Sequence, residues 1–211
     1  MFGPHSARHF SELAASIRSA MYCFRHLSKV RDYADKTSLL AAMLAQAQND
    51  GLFLEFGVAT GQTINTIASL KPDLTIYGFD SFQGLPEDWR KGWPKGTFAQ
   101  ASLPKVRDNC ELIVGMFEKT LPDFLSSKQK SVSFIHMDCD LYSSAKTVLE
   151  CCASYVKPGT VIVFDEFFNY ADWQKHEFLA WQDYCRAHHV KAKPVGLVSS
   201  DMQLAFMIES I

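Results

Sequence analysis

The chain is 211 residues long, 47% hydrophobic and 21% charged, with a formal net charge of −2. That length carries one domain with a full core, and two would be cramped. The charge gives no reason to expect a polyanion-binding face, and no run approaches the roughly 20 apolar residues that a membrane span needs.

Basic residues gather near the start (Arg8, Arg18, Arg25, Lys29, Arg31), with Glu12 the only early acid. Such a cluster suits a transit peptide or the solvated face of a helix. The apolar spacing favours the helix, because Leu13, Ile17, Met21 and Phe24 recur at three and four and predict an amphipathic segment over 9–34. Arg18 interrupts the only apolar candidate for a secretory signal, so none is expected. Residues 38–48 (SLLAAMLAQAQ) predict a second helix, with Thr37 as its N-cap and Gly51 as a stop.

From residue 52 the pattern changes. Short apolar runs at 52–56, 74–79, 111–114, 132–137 and 160–164 alternate with helical stretches. In the stretch between the last two, Leu141, Ala145, Val148, Leu149 and Cys152 mark one helical face. Strands alternating with helices imply a mostly parallel α/β sheet covered on both sides. An aromatic-rich helix is expected over 170–188. Strand-like runs at 190–198 and 202–208 flank the turn residues Ser199, Ser200 and Asp201, which predicts a terminal hairpin adding antiparallel edge strands. The expected organisation is a helical extension, 1–50, before one domain, 51–211. The six cysteines show no C-x-x-C spacing, which fits reduced thiols in a cytoplasmic protein.

In an open parallel sheet, ligands bind beyond the carboxyl ends of the strands. Four of the five apolar runs end on acids: Glu55, Asp80, the pair Asp138 and Asp140, and the pair Asp165 and Glu166. The first turn, EFGVATGQT, carries Gly57 and Gly61 with Val58 and Thr60 between them. These glycines permit a tight turn and close backbone approach. A dinucleotide fingerprint would need a middle glycine and would not tolerate an acid beside a diphosphate. Glu55 instead suits a cationic ligand without phosphate, and S-adenosylmethionine carries an ammonium and a sulfonium. Asp80, followed by Ser81, is placed to accept the ribose hydroxyls.

EFGVATGQT, GFDSFQGLPEDW, GMFEKTLP, FIHMDCDLYSSAKTVLE and YVKPGTVIVFDEFF together resemble the macrocin O-methyltransferase family over roughly residues 50–185. The resemblance implies a three-layer, Rossmann-like class I methyltransferase sheet of seven strands with an antiparallel C-terminal strand. It also implies a magnesium ion and sugar hydroxyls as acceptors. Carried over by position, Glu55, Gly57 and Gly61 are cofactor-turn residues and Asp80 is the ribose acid. Gly115, Met116 and Phe117 lie along the adenine. Asp138, Asp165 and Glu166 are metal ligands, with Glu166 standing where Asp or Asn is usual, and Asp140 is the general base.

Magnesium prefers oxygen ligands and keeps positions open, so adjacent hydroxyls of a diol could complete such a site. Asp140 would take the hydroxyl proton as Asp138 helps hold the ion, and Asp138 also borders the cofactor. Asp140 could instead, or in addition, cap the helix beginning at Leu141. His136 reads as a core histidine outside the site. Residues 86–98 (PEDWRKGWPKGTF) read either as a lid over the acceptor or as a surface loop with its aromatics tucked inward. No role is assigned to Asp172, Trp173 or His176. The expected partner is a small hydroxylated acceptor, a sugar or glycosylated metabolite, and no nucleic acid. Surplus apolar surface on the N-terminal helices suits a homodimer, as in family members. Three other readings remain open: a catechol-like phenol methyltransferase, disfavoured by Leu141 where a lysine base would stand; a nucleic-acid methyltransferase; and a non-catalytic S-adenosylmethionine-binding domain.

Overall fold

Runs rich in aromatic and β-branched residues, such as LFLEF and TVIVF, lose little by extending, and they form the strands of one seven-stranded sheet. The computed structural model describes residues 7–211. The first six residues of the predicted extension, and the side chain of Arg8 in its basic cluster, lie outside the described residues.

Helix α1 spans Ala7–Tyr22 and ends in a single π turn, Cys23–Leu27. It stops short of the predicted residue 34 because residues 31–33 find sheet partners. Tyr33 N donates to Leu197 O at 2.8 Å and Leu197 N to Arg31 O at 3.1 Å. Helix α2, Lys36–Gln46, begins earlier than predicted. Asp35 is the N-cap, not Thr37. Its carboxylate accepts the Ser38 N–H at 2.7 Å in a reciprocal capping box. That shift puts Lys36 in the first helical turn.

The remaining elements are β1 (Leu52–Phe56), α3 (Gln62–Leu70), β2 (Ile76–Asp80), β3 (Cys110–Val114), α4 (Phe117–Lys128), β4 (Val132–Met137) and α5 (Tyr142–Cys152). After them come β5 (Val156–Phe164), a short 3-10 turn (Trp173–Lys175), α6 (Glu177–Ala187), β6 (Lys191–Leu197) and β7 (Leu204–Ser210). The 3-10 turn breaks the helix expected over 170–188. The sheet order is β3-β2-β1-β4-β5-β7-β6, with β1 to β5 parallel. β7 runs antiparallel to both β5 and β6. The hairpin therefore reverses only β7, which inserts between β5 and β6, and does not add two reversed edge strands.

Side chains alternate between the faces of the sheet. Leu54, Phe56, Ile135, Met137, Ile162 and Phe164 pack on one side with residues of α4, α5 and α6. Phe53, Phe134, Val161 and Val163 pack on the other with residues of α2 and α3. Strand order reverses between β1 and β4, which opens a crevice at their carboxyl ends. Among the described residues no helix is long and apolar enough to cross a membrane.

Candidate active site

A cavity of about 680 Å³ occupies that crevice. Of the residues singled out from sequence, Gly57, Val58, Thr60, Asp80, Ser81, Gly115, Met116, Phe117, Asp138, Asp140 and Glu166 line it. Glu55, Gly61 and Asp165 do not. Gly61 caps α3 in a left-handed conformation, and Asp165 lies behind Lys36, which does line the cavity. Glu55 is fully buried under the sheet's end and meets the side chain of His136 instead of the cavity.

The β1 turn is held by backbone geometry. Gly57 has φ +90°, and a Cβ there would stand 1.7 Å from the carbonyl oxygen of Asp138. Only glycine lets the turn after β1 lie against the end of β4. Asp80 reaches back across the same turn. Its Oδ2 accepts the N–H groups of Val58 and Ala59 at 2.9 and 2.8 Å, and its Oδ1 accepts that of Phe82 at 2.7 Å. Those bonds fix the carboxylate while leaving lone pairs for a ligand.

The ends of β4 and β5 are organised by side-chain charge. Glu55, His136 and Asp165 stand on one sheet face, on three adjacent strands or their extensions. His136 Nδ1 lies 3.3 Å from Glu55 Oε1, and its Nε2 lies 3.6 Å from Asp165 Oδ1. Burial alone would lower the imidazole's pKa, but Asp165 and Glu55 together raise it to about 10. Burial would raise Asp165, yet His136 and Lys36 hold it well below the usual carboxylate range. Lys36 Nζ donates to Asp165 Oδ2 at 2.9 Å and lies 3.7 Å from Asp138 Oδ2. A lysine at a helix N-terminus opposes the helix dipole, so these acids are what make the position tolerable.

Asp138, Asp140 and Glu166 are less well provided for, and nearby cations do not offset their burial. Burial first and then the neighbouring Asp165 raise Asp138, and burial followed by Asp138 and Asp165 raises Glu166. Burial and then Asp165 push Asp140 up to about 7, with Arg90 opposing. Asp140 sits in a tight turn with φ 62°, directly before Leu141. Leu141 is the N-cap of α5, and no side chain caps that helix, so Asp140 does not serve as the cap. The Oε2 atom of Glu166 and the Oδ1 atom of Asp165 are buried without a hydrogen-bond partner.

Three residues of this site escaped the reading of the sequence. His136 belongs to the charge network and is not an isolated core histidine; its carboxylate neighbours are visible only once the strands are aligned. Lys36 was hidden by the misplaced N-cap, and the Asp35-x-x-Ser38 pair is the signal that finds it. Glu177, fully buried at the start of α6, accepts Cys139 N–H at 3.2 Å and Glu166 N–H at 3.3 Å. It thereby ties the two acid-bearing strand ends together. In residues 86–98, Trp89 is buried, and Trp89, Arg90, Trp93 and Phe98 all line the cavity. All six cysteines are free thiols.

Solved structures share this architecture. The calicheamicin methyltransferase CalS11 is 21% identical, with 98% of this chain and 95% of that one covered and a TM-score of 0.67. The O-methyltransferase NovP is 16% identical over 83% of this chain and 80% of its own, with a TM-score of 0.63. TomG, an O-methyltransferase from Streptomyces achromogenes involved in tomaymycin synthesis, is 15% identical over 93% and 90%, with a TM-score of 0.54. At such identities the likeness is one of fold. No curated protein matches the chain in sequence. The profile of the Methyltransferase domain family matches residues 54–167, which is more than half of the chain and runs from β1 past the acids that end β5. The chain therefore belongs to the Methyltransferase domain family and is an S-adenosylmethionine-dependent methyltransferase.

Proposed function

We propose that the enzyme methylates a hydroxyl of a small polyhydroxylated acceptor, a sugar or glycosylated metabolite, with Mg²⁺ as a cofactor, in the manner of the macrocin O-methyltransferases. The observation carrying this reading is that the glycine turn after β1 and the acids ending β4 and β5 open on one cavity. S-adenosylmethionine supplies the methyl group as a sulfonium. Gly57, Val58, Thr60 and Gly61 form its turn, Asp80 and Ser81 meet its ribose, and Gly115, Met116 and Phe117 border its adenine. Glu55 acts at one remove, by holding His136.

The donor set fits a hard divalent ion. Asp138 and Asp165 set carboxylate oxygens within 4.8 Å of one another, with His136 and not Glu166 as the third member of that group. Glu166 adds a buried Oε2 without a hydrogen-bond partner, and mutual repulsion among the acids makes added positive charge favourable there. When bound, the ion lowers the pKa of a coordinated hydroxyl. Lys36, donating to Asp165 Oδ2, would orient that carboxylate and leave its Oδ1 for the ion. Asp140, with a pKa near neutrality, takes the acceptor's proton. Asp138 turns toward both the cofactor and the acceptor. Glu177 holds the two strand ends in register as the charge moves.

Labelled S-adenosylmethionine incubated with a panel of sugars, glycosides and phenols tests this. Transfer to sugar hydroxyls that EDTA abolishes and Mg²⁺ restores is the expected result. Transfer unaffected by EDTA would remove the ion from the reading, and labelling of phenols alone would replace the acceptor class.

We also propose that the enzyme pairs through α1. Phe10, Leu13, Ile17, Met21 and Phe24 form an exposed stripe whose spacing is symmetrical about Ile17. An antiparallel copy would set Phe10 against Phe24 and Leu13 against Met21, the self-complementarity that a two-fold interface requires. Ile17→Glu should convert a dimer to a monomer in light scattering; a wild-type monomer would dismiss the pairing.

A further inference from the structure

The cavity has a second end, made by residues 85–98. This segment is tied to itself by backbone bonds: Leu85 N to Thr97 O at 2.9 Å, Gly96 N to Leu85 O at 2.9 Å, and Trp89 N to Trp93 O at 3.0 Å. Such a closed loop holds its side chains in place. Arg90 is wedged among three rings, its guanidinium carbon 4.3 Å from the centre of Trp89, 5.1 Å from Tyr170 and 5.4 Å from Trp93.

Stacking covers the faces of a guanidinium and leaves its N–H edge to do the recognition. Among the described residues, no carboxylate forms an ion pair with that edge, and Arg90 Nε is buried without a hydrogen-bond partner. The indole Nε1 of Trp89, a residue only 8% exposed, is also buried and unpartnered, and both residues line the cavity. Unpaired buried donors are costly unless a ligand completes them. Two unpartnered donors side by side call for an oxyanion.

We propose that Arg90 and Trp89 form a subsite for an anionic group, a carboxylate or a phosphate, carried by the acceptor. The inference rests on the methyltransferase reading and narrows its acceptor to acidic hydroxylated molecules. The carboxylate or phosphate takes the edge of Arg90 and the Trp89 N–H. Trp93 and Phe98, packed with ring centres 5.1 Å apart, offer an apolar wall to the rest of the molecule. A planar fork meeting an oxyanion is directional, so Arg90 sets which hydroxyl faces Asp140.

The test is calorimetric titration of the full chain, with and without saturating S-adenosylhomocysteine, using glucose, glucuronate and glucose 6-phosphate as probes. Glucuronate and glucose 6-phosphate should each bind at least about tenfold more tightly than glucose, as one charge-assisted fork contact provides. Arg90→Met should erase that preference and leave affinity for S-adenosylhomocysteine unchanged, and Arg90→Lys should keep part of it. Equal binding of glucose and glucuronate by the wild type would overturn the proposal, as would a preference that survives in Arg90→Met. Loss of S-adenosylhomocysteine affinity in that variant would also overturn it, by assigning Arg90 to the cofactor's own carboxylate. If Arg90→Met does not fold, Arg90→Lys and the wild-type preference still decide. If the wild type fails to bind S-adenosylhomocysteine, the cofactor reading falls, while the titrations without it continue to judge the subsite.

Discussion

The two sides of the crevice use acids in opposite ways. On the β1–β2 side, Asp80 has both oxygens engaged by backbone N–H groups of residues 58, 59 and 82. On the β4–β5 side, Asp138, Asp140 and Glu166 crowd one another, each raised by burial and by neighbouring acids. Backbone satisfies Asp80 on the first side without help. The second is left with surplus negative charge, and Lys36 and His136 answer only part of it. A side complete in itself suits a template for a ligand, whereas a side with surplus negative charge favours a cation.

Gly57 joins the two sides, so its substitution should break the comparison most severely. A methyl group at Gly57 meets Asp138 O at 1.7 Å, on a backbone that L residues rarely adopt. Gly57→Ala is expected to cost more than about 4 kcal/mol, the range reserved for a severe local fault. A melting temperature within a few degrees of wild type would show that the sides are not pressed together.

Asp140→Asn keeps the shape of the acid side but removes its proton acceptor. Turnover should fall by about 10²–10⁴ with the fold intact, as measured by labelled methyl transfer beside circular dichroism. Undiminished turnover would take Asp140 out of the reaction.

Lys36→Met tests whether the acid side is as underprovided as it looks. Asp165 loses its 2.9 Å ammonium partner, and a hydrogen bond to a charged group contributes about 1.5–3 kcal/mol. The lower half of that range is expected, because Lys36 keeps 30% of its side chain exposed. If the ion reading holds, added Mg²⁺ should restore more stability to this variant than to wild type. Equal responses would separate Lys36 from the ion's site.

The smallest change is expected on the satisfied side. Asp80→Asn retains one carbonyl oxygen for the Val58 and Ala59 N–H groups but turns an amide toward Phe82 N–H. A loss of about 1 kcal/mol follows from one missing bond, together with weaker binding of S-adenosylhomocysteine by calorimetry. A loss as large as that in Lys36→Met would mean that the two sides do not differ in kind.

Much of the fold was legible before any coordinates. The runs at 52–56 and 132–137 coincide with β1 and β4, because interior strands of a parallel sheet read as near-continuous apolar runs, interrupted in these two only by Glu55, Ser133 and His136. The helix starts were harder to place. Thr37 and Asp35 are both acceptable caps, and the choice was made by the backbone of residues 31–33 bonding to Leu197, far along the chain. The acids were legible as a set because they end strands. Their partners were not: nothing near His136 in sequence points to Glu55, and nothing near Asp138 points to Lys36 or Glu177.

The succession of strands and helices along the chain, the glycine turn and the acids at the strand ends follow from the sequence alone, since alternation of apolar runs and the steric freedom of glycine are local properties of the chain. The place of β7 between β5 and β6 did not. The pairing of charges was decided only in three dimensions. Lys36, Glu55, His136, Asp165 and Glu177 come from segments far apart in sequence, and their energies depend on burial and on separations of 2.9–3.7 Å that exist only after the sheet and helices have packed.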